Sequence, residues 1–363
     1  MRFVIFGLTV SSSWGNGHAT LWRGLLKAMS RRGHTAVFYE RDVPYYSTTR
    51  DRWMPPERIR VQLYDSVDQI RADAERELSS ADVALVTSYC FHGREASRLI
   101  FDSQARLSIF YDLDTPVTLD FLQTGRPVPY LPEEGLSGFD LVLSYTGGRA
   151  LSELQTQLGA TAVAPLYGWV DPEAHAPSAI DQQLRSALSY LGTYAPDRQA
   201  SLEELFINTA HLLPDQRFLI GGAQYPEGFP WAPNIYFVRH LPPALHPGFF
   251  CSSRATLNVT RRVMAEYGFC PSGRLFEATA CGVPLLSDTW EGLESFFVPG
   301  EEILPVRTCS DVLNSLSLTD RELRIIAEAG RTRTLEHHTA EQRMMELESI
   351  CGKALAGRLA QRA

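Results

Sequence analysis

Apolar residues along this chain fall into short runs of strand length, and most successive runs are separated by segments with helical periodicity. Arg2-Phe-Val-Ile-Phe-Gly-Leu8 opens the series as a buried-type strand. After a Ser/Gly loop, Leu21, Leu25, Leu26 and Met29 share one face of a helix expected from about Ala19 to Arg32, with Gly33 as its cap. Thr35–Tyr39 is the second strand, and a strand–helix–strand unit predicts a parallel sheet. Further strands are expected at 61–64, 83–88, 107–111, 141–144 and 162–165, with helices near 70–79, 93–102 and 148–158. Together they predict one doubly wound domain over residues 1–171.

Residues 172–183 are polar and uneven, which suits a linker. A second series of the same kind follows over 184–336. Its strands are expected at 188–192, 218–220, 235–238, 255–259, 283–287 and 303–305, with one helix over 197–213. Helices are expected again at about 320–336 and 340–361. The fold class is therefore α/β, two Rossmann-like parallel-sheet domains, and 363 residues suffice for each to bury its own core.

Composition removes several classes. A hydrophobic content of 44%, a charged content of 21% and a net charge of −8 describe a globular chain with no evident nucleic-acid partner. No apolar run reaches the roughly 18 residues of a membrane span, and the first strand is too short for a signal peptide. Six cysteines without a paired spacing read as reduced thiols, so a cytoplasmic location is expected.

The strongest chemical signal lies at Pro271–Pro284. Pro271-Ser-Gly is a turn with a helix cap, Arg274–Cys281 is a short helix, and Gly282 with Pro284 ends it. The amides of Ser272, Gly273 and Arg274 form a potential anion site, with the Arg274 guanidinium beside them. Glu277, one turn further in, is placed to accept both hydroxyls of a ribose. Phosphate at the helix mouth and ribose on the helical carboxylate describe a nucleotide-diphosphate pocket; the plainer alternative is a solvated Glu277. Gly192-Thr193 repeats the strand–turn–helix logic, with Arg198 as the phosphate's positive charge. Arg261 or Arg262 is a weaker candidate of the same type.

In open parallel sheets ligands sit beyond the carboxyl ends of the strands, so the loops there carry the remaining candidates. Gly15-Asn16-Gly17-His18 follows the first strand and, with Glu40, imitates a dinucleotide fingerprint. The fit is poor, because Thr20 holds the third glycine position and the loop is too long. The same loop can admit an acceptor or a phosphate, and His18 is its titratable group; a local helix-terminal role is the alternative. Asp112-Leu-Asp114 ends a strand. Two carboxyls so close push one pKa up, so one can act as base or acceptor ligand while the other orients it. The alternative role for Asp114 is a helix N-cap. No third ligand completes a metal shell at this pair, so no metal is expected.

These blocks, with Glu291-Gly-Leu-Glu294, Pro299-Gly-Glu-Glu-Ile303, Ser12–His18, Tyr111–Thr118, Gly192–Arg198 and Leu257–Arg261, resemble the group 1 glycosyltransferases, and within them the CgeB-like spore maturation branch. The resemblance implies the GT-B architecture, two domains facing across a cleft, with the C-terminal helix crossing back onto the first. It implies glycosyl transfer from a nucleotide-diphosphate-sugar to an unidentified small-molecule, glycan or protein acceptor, without a metal or other cofactor. It also adds His240, in Val238-Arg-His-Leu241, near the nucleobase. One departure stands out: many such enzymes carry a second Glu eight positions before the helical one, where this chain has Phe269. Sugar identity and stereochemical outcome stay open, retention being the family's weaker implication. A nucleotide-sugar epimerase of the same fold and a non-catalytic binding protein are the rival readings.

Overall fold

In the computed structural model, which describes the backbone of residues 1–362 and side chains to Gly357, the chain divides into two compact units. The first comprises Met1–Tyr167 with the C-terminal Ala340–Ala363, and the second Gly168–Thr339.

The first unit is a seven-stranded parallel sheet. In chain order its strands are β1 (Arg2–Gly7), β2 (Thr35–Arg41), β3 (Ile59–Tyr64), β4 (Val83–Thr87), β5 (Ser108–Asp112), β6 (Leu141–Ser144) and β7 (Val163–Pro165), laid side by side as β3-β2-β1-β4-β5-β6-β7. Strands with helices on both faces carry near-continuous apolar runs, and Phe3–Phe6, Val83–Val86 and Ile109–Tyr111 are all buried. The order reverses between β1 and β4, so the loops after these two strands part and leave a crevice at the carboxyl ends.

The C-terminal helix, Ala340–Arg362, packs on the Gly17–Arg31 helix of the same unit. It buries Met344, Leu347 and Cys351. Arg32 grips Glu348 through Nε and Nη2, each at 2.7 Å, and His34 Nε2 reaches the same carboxylate at 2.5 Å. Arg32 above all, against the cost of partial burial, holds the Glu348 carboxyl down at about 2.

The second unit holds six parallel strands: β8 (Ser186–Leu191), β9 (Phe218–Gly222), β10 (Ile235–Arg239), β11 (Ser253–Asn258), β12 (Leu285–Ser287) and β13 (Leu304–Pro305). Their spatial order is β10-β9-β8-β11-β12-β13. Here the reversal falls between β8 and β11, again defining where a ligand crevice opens. Its core runs from Leu188 and Phe206 through Phe218 and Ile220 to Leu257 and Leu286.

Each expected strand is present, with ends shifted by at most two residues. The helix expected over 197–213 starts as a 3₁₀ turn at Pro196–Arg198 and contains a π-type turn at Glu203–Ile207. That wide turn is where three consecutive apolar residues, Leu205, Phe206 and Ile207, are all buried. The Cys309–Ser317 helix had no expectation. A Thr308–Asp311 capping box starts it, with Asp in place of the usual Glu or Gln. Residues 172–183 are not uniformly solvated, because His175 is 1% exposed. All six cysteines are free thiols.

Candidate functional site

In the first unit the switch point collects residues from three loops. Gly15 takes a left-handed φ of +61° before the Gly17–Arg31 helix, and Asn16 caps that helix by accepting His18 N at 3.0 Å. The cap aims His18 at Asp114, with Nε2 3.4 Å from Oδ2. Asp114 does occupy the N-cap position of the Thr115–Gln123 helix, but its side chain makes no capping bond. Its carboxylate serves the histidine instead. Asp112, fully buried at the end of β5, accepts Asp114 N through Oδ1 at 3.1 Å. Burial, with a smaller push from the Asp114 charge, raises the Asp112 carboxyl to about 6. The expected rise of one carboxyl thus has desolvation as its main cause.

Tyr89, beyond β4, was missed by sequence reasoning. It stands against His18 with ring centroids 5.6 Å apart and adopts φ +62°, a conformation uncommon for a bulky residue. Three buried polar atoms here make no hydrogen bond: Asn16 Nδ2, His18 Nδ1 and Asp112 Oδ2. Orphaned polar atoms are rare in native interiors, and three in one crevice mark a place for a polar ligand. Glu40, the acid of the dinucleotide imitation, is consumed within the fold. It accepts Thr9 Oγ1 and Val10 N at 2.7 Å and Ser11 N at 3.0 Å, fixing the loop after β1.

In the second unit the Gly273–Ala280 helix begins at the Ser272 cap, whose Oγ accepts Arg274 N at 3.3 Å. Arg274 reaches two ways: Nε donates to Leu191 O at the end of β8, 3.3 Å away, and Nη1 pairs with Glu277 Oε2. Arg198 approaches the same turn, Nη1 donating to Thr193 O at 3.1 Å. The turn between these two guanidinium groups is Leu191-Gly192-Thr193. A side chain at Gly192 would meet Tyr190 Oη at 2.7 Å, so the backbone there stays bare. His240, at φ +52°, donates its amide to Gly222 O at 2.9 Å on the neighbouring strand. Arg261 turns to Asp197, Nε lying 3.1 and 3.3 Å from its two oxygens.

Glu277 is 7% exposed, and burial opposes its charge. Arg274 more than offsets that, and the carboxyl is held below its usual range. Both histidines escaped sequence reasoning, since neither sits in a motif. Burial depresses His175 and takes His246 down to about 3, so both imidazoles are neutral. Asp288, just past β12, was also missed. It accepts Thr260 N at 2.9 Å and Thr260 Oγ1 at 3.0 Å, and burial raises it to about 6. Its place at a strand's carboxyl end was the available signal. Phe269 sits at φ +45° with its ring where a side chain at Gly292 would have to be, and its amide donates to Glu291 O at 2.6 Å.

Residues 198–349 match the family described as "Glycosyl transferase-like". No curated protein matches the sequence. Among solved structures, the chain is similar to sucrose-phosphate synthase from Thermosynechococcus elongatus, with TM-score 0.71 and 12% identity over 98% of this chain and 100% of that one. It is also similar to HepE from Anabaena in complex with UDP-glucose, with TM-score 0.64 and 14% identity over 96% and 99%. A third is an alpha-glucosyltransferase in complex with UDP-glucose and DNA containing an abasic site, with TM-score 0.69 and 12% identity over 97% and 99%. These likenesses span both units and establish the fold, GT-B. Among the described residues no helix is long and apolar enough to cross a membrane.

Proposed function

We propose that this chain is a group 1 glycosyltransferase that moves a sugar from a nucleotide-diphosphate-sugar to an acceptor hydroxyl, without an obligatory metal. One observation carries the reading. Arg274 and Arg198 converge on the Leu191–Thr193 turn at the mouth of a capped helix, with Glu277 one turn inside. Two guanidinium groups, bare backbone and helix amides suit a diphosphate, and they stabilise the charge that grows on it as the glycosidic bond breaks. Glu277 takes the ribose hydroxyls. The match of residues 198–349 to a glycosyl transferase-like family supports the same assignment. So do structural neighbours described in complex with UDP-glucose.

On the acceptor side, Asp114 and His18 hold and polarise the attacking hydroxyl, while Asp112 orients Asp114 through its amide. The Gly15–Gly17 loop sets the position of that histidine. The CgeB-like assignment rests on the sequence blocks.

A thermal-shift screen of nucleotides and nucleotide-sugars tests the reading. A ligand at about 100 times its Kd stabilises the native state by about 2.7 kcal/mol, so a diphosphate nucleotide should raise Tm by several degrees. A panel in which no nucleotide moves Tm defeats the proposal. Transfer activity should also survive EDTA; loss on chelation with rescue by Mn²⁺ or Mg²⁺ would return Asp112 and Asp114 to a metal role.

A further inference from the structure

We infer that His175, His246 and Glu277 form a binding site for a divalent cation of the zinc class, inside the second unit. The three side chains come from separate segments: the turn after Asp171, the first residue of the His246–Cys251 helix, and the second turn of the Gly273–Ala280 helix. They are 1%, 5% and 7% exposed.

Three specific atoms converge. His175 Nε2 and His246 Nδ1 lie 3.5 Å apart, and Glu277 Oε2 is 3.9 Å from the first and 3.8 Å from the second. A point equidistant from such a nearly regular triangle is roughly 2.2 Å from each atom, against Zn–N and Zn–O bonds of about 2.0–2.2 Å. A tetrahedral ion with such bonds spaces its ligand atoms about 3.3–3.6 Å apart, so the triangle needs a few tenths of an ångström of contraction to hold one.

The protonation pattern also fits. His246 Nε2 lies 3.3 Å from Leu241 O, a carbonyl that can only accept, so the proton of the neutral ring belongs on Nε2 and the Nδ1 lone pair faces the cluster. An outer partner of this kind is how metal-binding histidines are commonly oriented. His175 Nδ1 is buried and makes no hydrogen bond. If His175 protonates Nε2, the Nδ1 lone pair is stranded. If it protonates Nδ1, two lone pairs and a carboxylate oxygen face one another. A cation accepts all three. Two imidazoles and one carboxylate favour zinc, cobalt or nickel over magnesium or calcium, which prefer all-oxygen shells.

Arg274 is the charged group that faces this site from the same helix, and its Nη1 pairs with Glu277 Oε2. The cation and the guanidinium compete for one oxygen. Arg274 is the more accessible member, its side chain 30% exposed while the histidines are closed in. The sign of that competition is a specific consequence: removing the guanidinium should strengthen cation binding. The inference goes beyond the donor reading and does not depend on it. The ion is no reactant, and if Glu277 also holds ribose, a bound cation lowers nucleotide affinity.

The test uses the full chain, stripped of metal and titrated with Zn²⁺ against a chromophoric chelator, then with Co²⁺ followed by visible absorption. One ion per chain is expected, with the intense ligand-field bands of four-coordinate Co²⁺. His175→Ala and His246→Ala should each weaken zinc more than about 100-fold, and Arg274→Gln should tighten it several-fold. Because an emptied buried position can unfold the unit, Glu277→Gln is the companion variant: it preserves the helix and should also abolish the Co²⁺ bands. Wild-type affinity no better than millimolar, or equal binding by wild type and Glu277→Gln, overturns the site. UDP is titrated into separate metal-free samples, so that a cation on Glu277 cannot mask its binding. Zinc binding without UDP binding removes only the donor reading, and UDP binding without zinc removes only the cation site.

Discussion

The two crevices are prepared for ligands in opposite ways. In the second unit the charges are already matched: Arg274 by Glu277, Arg261 by Asp197, and one arm of Arg198 by Thr193 O. A phosphate entering there mostly exchanges partners with groups already paired, although Arg198 Nε is buried without a hydrogen bond, so the net gain is largely the difference between two charge-assisted contacts. In the first unit, Asn16 Nδ2, His18 Nδ1 and Asp112 Oδ2 are buried without partners. Their desolvation cost is already present in the native state, and a hydroxyl that satisfies them gains nearly its full hydrogen-bond energy. Binding by exchange suits a site that must release a charged product. Binding into a buried, unsatisfied crevice suits a site that must hold a neutral hydroxyl in one geometry.

The sharpest way to break this contrast is to remove the first unit's His18–Asp114 pair. Asp114→Asn and His18→Ala should each lower turnover by about 10²–10⁴-fold, the usual worth of a positioned acid–base group. Donor KM should change little, because neither group belongs to the donor unit. Steady-state kinetics with donor varied at saturating acceptor separates the two effects. Full turnover in both variants would make the His18–Asp114 contact purely structural.

A smaller effect is expected from Glu277. Its carboxylate offers two charge-assisted bonds to a ribose, but Arg274 already occupies Oε2 in the resting site. Truncation therefore costs less than two free hydrogen bonds, on the order of 2 kcal/mol, or about 30-fold in ribonucleotide affinity. Glu277→Gln should fall between wild type and Glu277→Ala. Calorimetry with a nucleotide and its 2′,3′-dideoxy analogue is the direct check. Wild type should discriminate between them and Glu277→Ala should not; equal preference in both proteins would end the ribose role.

The same contrast explains how much the sequence disclosed. Strands were legible because buried parallel strands are short apolar runs, and all thirteen stand where the pattern put them. Loop residues were legible where a motif fixed their place: His18 and Asp114 meet, and Arg274 and Arg198 share a turn. What stayed hidden is pairing across long sequence separations. His175 and His246 are 71 positions apart and neither sits in a motif, yet they meet at 3.5 Å beside Glu277. Tyr89 gave no signal either, since nothing in its local sequence announces a left-handed backbone at a tyrosine. The short helices Arg262–Tyr267 and His246–Cys251 have too few turns for a period to show.

The last and smallest effect concerns Asp112 as a source of instability. Its carboxyl titrates near 6 in the folded chain against 3.8 for the free group, because ionising it inside the first unit is costly. The folded state therefore holds a proton that the unfolded state has released between those two values. Below about pH 4 both states are protonated and no penalty exists. Stability falls as pH rises from about 4 to 6, and above 6 the penalty is constant. A shift from 3.8 to about 6 bounds that penalty at roughly 3 kcal/mol. Asp112→Asn removes the ionisation but introduces an amide whose N–H groups need acceptors, which returns part of the gain. The expected net is a stabilisation of about 1–2 kcal/mol at pH 8 that turns into a destabilisation of about 1–2 kcal/mol at pH 4, where only the cost of the amide remains, together with a loss of turnover. Urea denaturation of both proteins across that range is the measurement. A variant less stable than wild type at pH 8 would show that the buried carboxylate contributes more through its hydrogen bond to Asp114 N than its desolvation takes away.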